Sequence, residues 1–259
     1  MILSRRVTFC GEQLDEIHEA IVIREANPGV AKETMTANDK MGGWGQRVTG
    51  QHWQTLEAQV TFAIDIPKTR MAERREVFDK VIAWANRKGW LEFSTIEDRR
   101  LYVEKTVIPG AGDMWNWIND YTIVFRAYSV PFWETKTETK VTKDSVMNGS
   151  ASIKIEGTAP GVLDISFKNI SGAVIPNIKI KTTKHEMNLE GVNLASYETL
   201  IIDHPISKGG VVRIRAGSRN VYGLLQGSDD LAVEPGSETV TVTATRAGAL
   251  TIVNHARWV

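Results

Sequence analysis

The residue types that usually carry catalysis are present in this sequence, but they are scattered. Five histidines stand at His18, His52, His185, His204 and His255, and no short spacing joins them into a motif. A zinc hydrolase needs two histidines one helical turn apart on the same face. None of the five falls in the one segment with clear helical periodicity. The single cysteine, Cys10, has no neighbouring basic cue for an activated thiolate and reads as a buried or strand-edge thiol. Alone, it also excludes an intramolecular disulfide framework and any zinc site of paired cysteines. Asp229 and Asp230, with Ser228 and Glu234 nearby, offer the hard oxygens that calcium takes, yet the glycine spacing and ligand periodicity of a calcium loop are missing. A solvated turn is the simpler reading. Gly42-Gly43-Trp44-Gly45 has the glycines of a phosphate cradle without its lysine and hydroxyl pair or its strand-to-helix setting. It reads as a hairpin tip or an inter-subunit arm. These patterns predict no catalytic residue, no metal and no cofactor.

The aromatic residues carry more information. Of the eight tryptophans, Trp44, Trp53, Trp84, Trp90, Trp115 and Trp117 precede Trp133. Trp84 and Trp90 lie on or beside the helical segment and are expected to be half-buried. The others sit in glycine-rich or loop-like stretches, close to Arg47 and Asp113. Aromatic and arginine side chains in such places have the composition of protein interfaces. Trp44, Arg47, Trp53, Trp115 and Trp117 are therefore the candidate oligomer-interface residues, with Asp39–Thr55 and Gly110–Asn119 as the surfaces that carry them. The second half holds Phe167, Tyr197, Tyr222 and Trp258, dispersed and not grouped with polar partners as a sugar platform would be.

The chain has 259 residues, with 31 acidic and 31 basic side chains. That length favours two domains, and the balanced charge supplies no field to draw the protein to nucleic acid or an anionic membrane. Arg5 and Arg6 precede Gly11, Glu12, Gln13, Asp15 and Glu16, where an export signal would need an apolar run. A soluble protein made in a cytoplasm, with protein partners, is expected.

The elements that must position these residues follow from periodicity. Leu56, Ala58, Val60, Phe62, Ile64 and Ile66 alternate with polar or small residues, as in a strand with one wet face. Pro67 ends it, and Thr69 is a candidate N-cap. Met71, Arg74, Val77, Phe78, Val81, Ile82 and Ala85 then follow helical spacing through 70–88, with Gly89 as the stop. Strands are expected at 90–94, 100–107 and 119–128. A polar run, 134–144, marks the domain boundary. From Ala151 onward, short alternating strands are punctuated by glycines, as in a β-sandwich or jelly roll. The expected fold is an α+β first domain, 1–136, with an antiparallel sheet, one long helix and a β-hairpin. An all-β sandwich, 137–259, follows.

Several features occur in a recognisable order: Gly42, Gly43 and Gly45, then Arg47, the strand Leu56–Ile66, and a helix ending in Trp84, Trp90, Leu91 and Phe93. After these come the charged turn Glu97–Arg100 and Tyr121–Tyr128 running into Pro131 and Trp133. This order resembles the N-terminal domain of siphophage distal tail proteins. The second half resembles the galectin-like sandwich of that family, with Leu231–Val242 and its Pro235-Gly236 turn similar to the closing hairpin. The resemblance implies a non-enzymatic virion protein of the phage tail tip or baseplate, assembled in the host cytoplasm. It implies a hexameric ring joining the tail tube protein to the tail-associated lysin or hub and anchoring receptor-binding proteins. The sequence has no room for an inserted carbohydrate-binding module. A carbohydrate-binding module with an accessory domain and a tube or hub subunit remain as alternatives.

Overall fold

The computed structural model describes residues 5–39, 46–108, 120–229 and 231–259. The chain is mostly β, with one α-helix among the described residues. It divides into two compact units, one of Met1–Trp133 with Val259 and one of Glu134–Trp258.

The first unit opens with β1 (Val7–Phe9), β2 (Glu12–Gln13) and β3 (Ile21–Asn27), followed by β4 (Glu33–Asp39) and β5 (Gln46–Trp53). Next come β6 (Leu56–Ile64), α1 (Met71–Ala85), β7 (Gly89–Phe93), β8 (Arg99–Val103), β9 (Lys105–Val107) and β10 (Asp120–Ala127). One antiparallel sheet has the order β3-β6-β10-β9. In another, β1 lies between β2 and β7, and β7 pairs with β8. The ribbon β4-β5 pairs from Glu33↔Trp53 to Asp39↔Gln46 as a two-stranded sheet of its own.

Strand β6 shows why the alternation works. Leu56, Ala58, Val60 and Phe62 are fully buried, whereas Glu57 and Gln59 are exposed. Helix α1 covers the apolar side with Val77, Phe78, Val81 and Trp84. Trp84 is 3 % exposed, deeper than its place at the helix end suggested, because its Nε1 donates to the Glu12 carbonyl at 3.0 Å and its ring meets Phe9 edge-on. The helix is shorter than its spacing predicts. Its N-cap is Arg70 rather than Thr69, with no side-chain capping bond, and Asn86 closes it by donating its N–H to the Ile82 carbonyl. Arg87 lies beyond the helix, yet its Nε still reaches the Trp84 carbonyl at 2.9 Å. Gly89 belongs to β7 and pairs with Val103. The expected strand over 100–107 is two strands, parted at Glu104.

After β11 (Trp133–Thr135), the second unit contains β12 (Thr139–Ile155), β13 (Gly161–Asn169), β14 (Ile178–Lys181), β15 (Glu186–Leu189) and β16 (Thr199–Asp203). It continues with β17 (Arg213–Ala216), β18 (Arg219–Asn220), β19 (Leu225–Gly227), β20 (Ala232–Val233), β21 (Gly236–Asn254) and β22 (Arg257–Trp258). The 19-residue β21 is its spine. One stretch of β21 pairs with β14 (Ile178↔Ala244) and a later one with β13 (Phe167↔Leu250), so the sheet curls around one core. That core takes Ile165, Phe167, Leu200 and Ile202 from one wing and Ile178, Ile180, Met187 and Leu189 from the other.

Two expectations change here. The polar run after Trp133 already contains strand, because β12 starts at Thr139 and pairs with β21 from there. It lacks an apolar period because residues 139–145 are at most half-buried on either face. The Pro235-Gly236 turn does not close a hairpin of its own two flanks. Strand β20 pairs with β13, and the start of β21 pairs with β12.

Candidate assembly surface

The sheet β3-β6-β10-β9 is built with one dry and one wet face. On the dry side Tyr121 stacks on Phe62, with centroids 5.4 Å apart, and tilts against Phe78 at 4.8 Å. Arg74 is 3 % exposed and lies inside this layer. Its guanidinium donates to the Ile64 and Ile66 carbonyls at 3.0 and 3.1 Å and to the Tyr121 hydroxyl at 3.2 Å, which compensates a charge that burial alone would make costly. On the wet side Glu57 pairs with Arg126 at 2.8 Å and Thr61 meets Thr122 at 3.2 Å. Among the described residues, the edge strands β3 and β9 each have one partner, β6 and β10 respectively. Two open antiparallel edges on one sheet are templates for strand pairing with another chain.

The two-stranded arm β4-β5 joins β6 through Gln54 and Thr55. Trp53, at the end of β5, packs edge-on to Phe132 with centroids 4.9 Å apart, so the arm is fastened at its root. Beside that root lies a cleft of about 670 Å³ with Lys32, His52, Trp53, Glu57 and Gln59 in its lining. Gly29, at the cleft rim, has φ +69, and a Cβ there would stand 2.1 Å from the Glu57 carbonyl oxygen. Only glycine lets the turn between β3 and β4 pass so close to β6.

Of the five candidate interface residues, Trp53 is placed at the arm's root and the backbone of Arg47 pairs with Asn38 in the arm. Trp44, Trp115 and Trp117 lie outside the described residues, as does the Arg47 side chain. Sequence periodicity alone missed the strands before Leu56. Strands β1 and β2 are too short to show alternation, and β4-β5 is a ribbon rich in polar residues.

Glu104, between β8 and β9, is opposed by partial burial. The Ser129 amide and hydroxyl and the Tyr128 amide, each at 2.7 Å, outweigh that burial and hold its carboxyl below the usual range. Burial pushes the Cys10 thiol up, and Arg87 only partly offsets it. The structure brings His185 Nδ1 to 3.2 Å from Ser228 Oγ, and His204 Nδ1 to 3.2 Å from Asp164. A hydrolytic triad needs both contacts on one imidazole. Here they fall on two. Asp229 accepts a hydrogen bond from the Tyr222 hydroxyl, and Asp230 is outside the described residues. Among the described residues no group of three or more metal-ligating side chains occurs, and no helix is long and apolar enough to cross a membrane.

No protein-family model and no curated protein matches the sequence. Solved structures do. A phage P2 baseplate in its activated conformation with Ca contains a chain matched at 7% identity over 97% of this chain and 98% of that one, with a TM-score of 0.46. SPP1 Dit, described as a paradigm of the hub adsorption apparatus in phages infecting Gram-positive hosts, matches at 15% identity with a TM-score of 0.68, over 98% of this chain and 99% of its own. The order of features that resembles the distal tail proteins thus corresponds to a likeness of fold, and this chain folds, over nearly its whole length, as SPP1 Dit does.

Proposed function

We propose that this protein is a non-enzymatic structural component of a phage tail tip or baseplate, of the distal tail type. The observation that carries the reading is the likeness to SPP1 Dit across both units. In this reading the domain of residues 1–136 has the α+β plan and builds a hexameric ring. Residues 137–259 form a galectin-like sandwich that faces outward and anchors receptor-binding proteins. The ring joins the tail tube protein on one side to the tail-associated lysin or hub on the other, and the protein resides in the virion after assembly in the host cytoplasm.

The open edges of the β3-β6-β10-β9 sheet support a ring. A sheet whose two different edges are free among the described residues suits a head-to-tail contact, which closes when the rotation per subunit divides the circle. The arm β4-β5 supports it too, because an isolated two-stranded ribbon is marginal in water and gains from packing on a neighbour. Trp44, Arg47, Trp53, Trp115 and Trp117 are the interface residues this reading assigns. Light scattering of Trp44→Ala and Trp117→Ala tests the assignment. Smaller particles are expected, and unaltered ring mass for both variants would move the interface elsewhere.

A further inference from the structure

One surface of the second unit is held in a conformation its sequence resists. Tyr197 has φ +60, in the left-handed region, where a bulky side chain is a rare outlier. Asn193, four residues earlier, has φ 45. Such conformations persist only where the surroundings over-determine them, and they cluster at functional surfaces. Here the holding is explicit. The fully buried Asn169 accepts the Tyr197 N–H on its backbone carbonyl at 3.0 Å, and its amide donates to the Ala173, Leu194 and Ala195 carbonyls. Ser196 Oγ donates to the Ser171 carbonyl at 2.7 Å, and the Glu198 carboxylate takes the Ala195 N–H at 2.8 Å.

All this order presents an aromatic ring to water. Tyr197 is 68% exposed, the most exposed large apolar side chain among the described residues. Val174 at 50% and Ile170 at 37% come from the loop that the same Asn169 ties down. Two exposed cations belong to backbone positions next to this loop. Lys168 is two residues before Ile170, and Arg246 precedes Ala247, whose carbonyl accepts the Ile170 N–H. Neither forms an ion pair among the described residues.

We propose that Ile170, Val174 and Tyr197 form a preorganised docking platform for a protein partner whose apolar anchor is flanked by carboxylates. The aromatic and aliphatic trio supplies the desolvated centre of an interface, and Lys168 and Arg246 supply a basic rim that steers an acidic partner. A saccharide fits the surface less well. Sugar hydroxyls need convergent free polar groups, and the carboxylate next in sequence to Tyr197, Glu198, is already engaged by the Ala195 amide and by Arg219 at 3.0 Å. The inference does not rest on the tail reading.

The test is selection of a random displayed peptide library on the full chain, followed by titration of the selected peptides against variants. Peptides bearing an apolar residue flanked by Asp or Glu are expected. Their binding should weaken roughly tenfold or more in Tyr197→Gly, as for a central anchor, and also in the double variant Lys168→Glu, Arg246→Glu. The melting temperature of Tyr197→Gly should hold or rise, since glycine takes this backbone conformation without strain. Loss of binding with retained stability therefore separates docking from folding. Equal binding to Tyr197→Gly, or selection of peptides without the acidic flank, would overturn the proposal. So would displacement of the peptides by a neutral oligosaccharide, or self-association that Tyr197→Gly abolishes, because these assign the surface to a sugar or to a second copy.

Discussion

Single residues show how little slack the fold has. A Cβ on Gly248 would lie 2.2 Å from the Phe167 ring, a side chain buried at the centre of the second core. Gly248→Ala should therefore lower stability by about 1–3 kcal/mol, as overpacking does, and chemical denaturation would read it. Glu104 offers a titratable counterpart. Its lowered pKa means that its contribution is present above the ordinary carboxylate range and is lost as pH falls through the lowered value. Protection of the Tyr128 and Ser129 amides, taken relative to their intrinsic exchange rates, should fall over that acid window and lose this dependence in Glu104→Gln. An unchanged acid dependence in the variant would assign the effect to another group. The two residues differ in legibility. The carboxylate's partners lie 24 and 25 residues away, and no local spacing announces them. Gly248 lies within β21 beneath an aromatic ring, a place that the glycine punctuation of the second half does not announce.

At the scale of elements, β6 and α1 were legible because each has one dry and one wet side, and period reports that difference. Phe62→Ala should cost roughly 3–5 kcal/mol as a large-to-small core change. Thr61→Ala should cost about 0.2–1 kcal/mol, the worth of its cross-strand contact with Thr122. Equal losses in thermal unfolding would mean the strand faces the other way. The first residues of β12 were illegible for the converse reason, since both sides of 139–145 are at least partly wet and no alternation survives. The extent of α1 was overestimated because Arg87 and Lys88 continue its polar character after the backbone has turned at Asn86. Arg74 was read as part of the helical stripe. Its role as a buried clamp depends on carbonyls at the end of β6 and beyond, and on Tyr121 of β10, which no helical period encodes. Arg74→Met should destabilise by about 1–3 kcal/mol, the cost of leaving buried acceptors unpaired, measured by the same denaturation.

At the scale of the whole molecule, the two units carry different demands. The first presents a sheet open at both edges and an arm with no other sheet partner among the described residues. The second encloses its own core and offers a strained, exposed tyrosine. Balanced charge fits a protein that meets other proteins through local patches rather than through a long-range field. Of the candidate interface, the sequence made the aromatic residues visible, but not the open strand edges, which exist only once β3 and β9 have taken their places.

The ring is the central claim, and the mass and shape of the purified full chain test it most directly. Light scattering with negative-stain images should give a closed hexamer, seen as one wide ring with peripheral lobes. A chain that stays monomeric at high concentration, or that grows into long open polymers, would contradict the account.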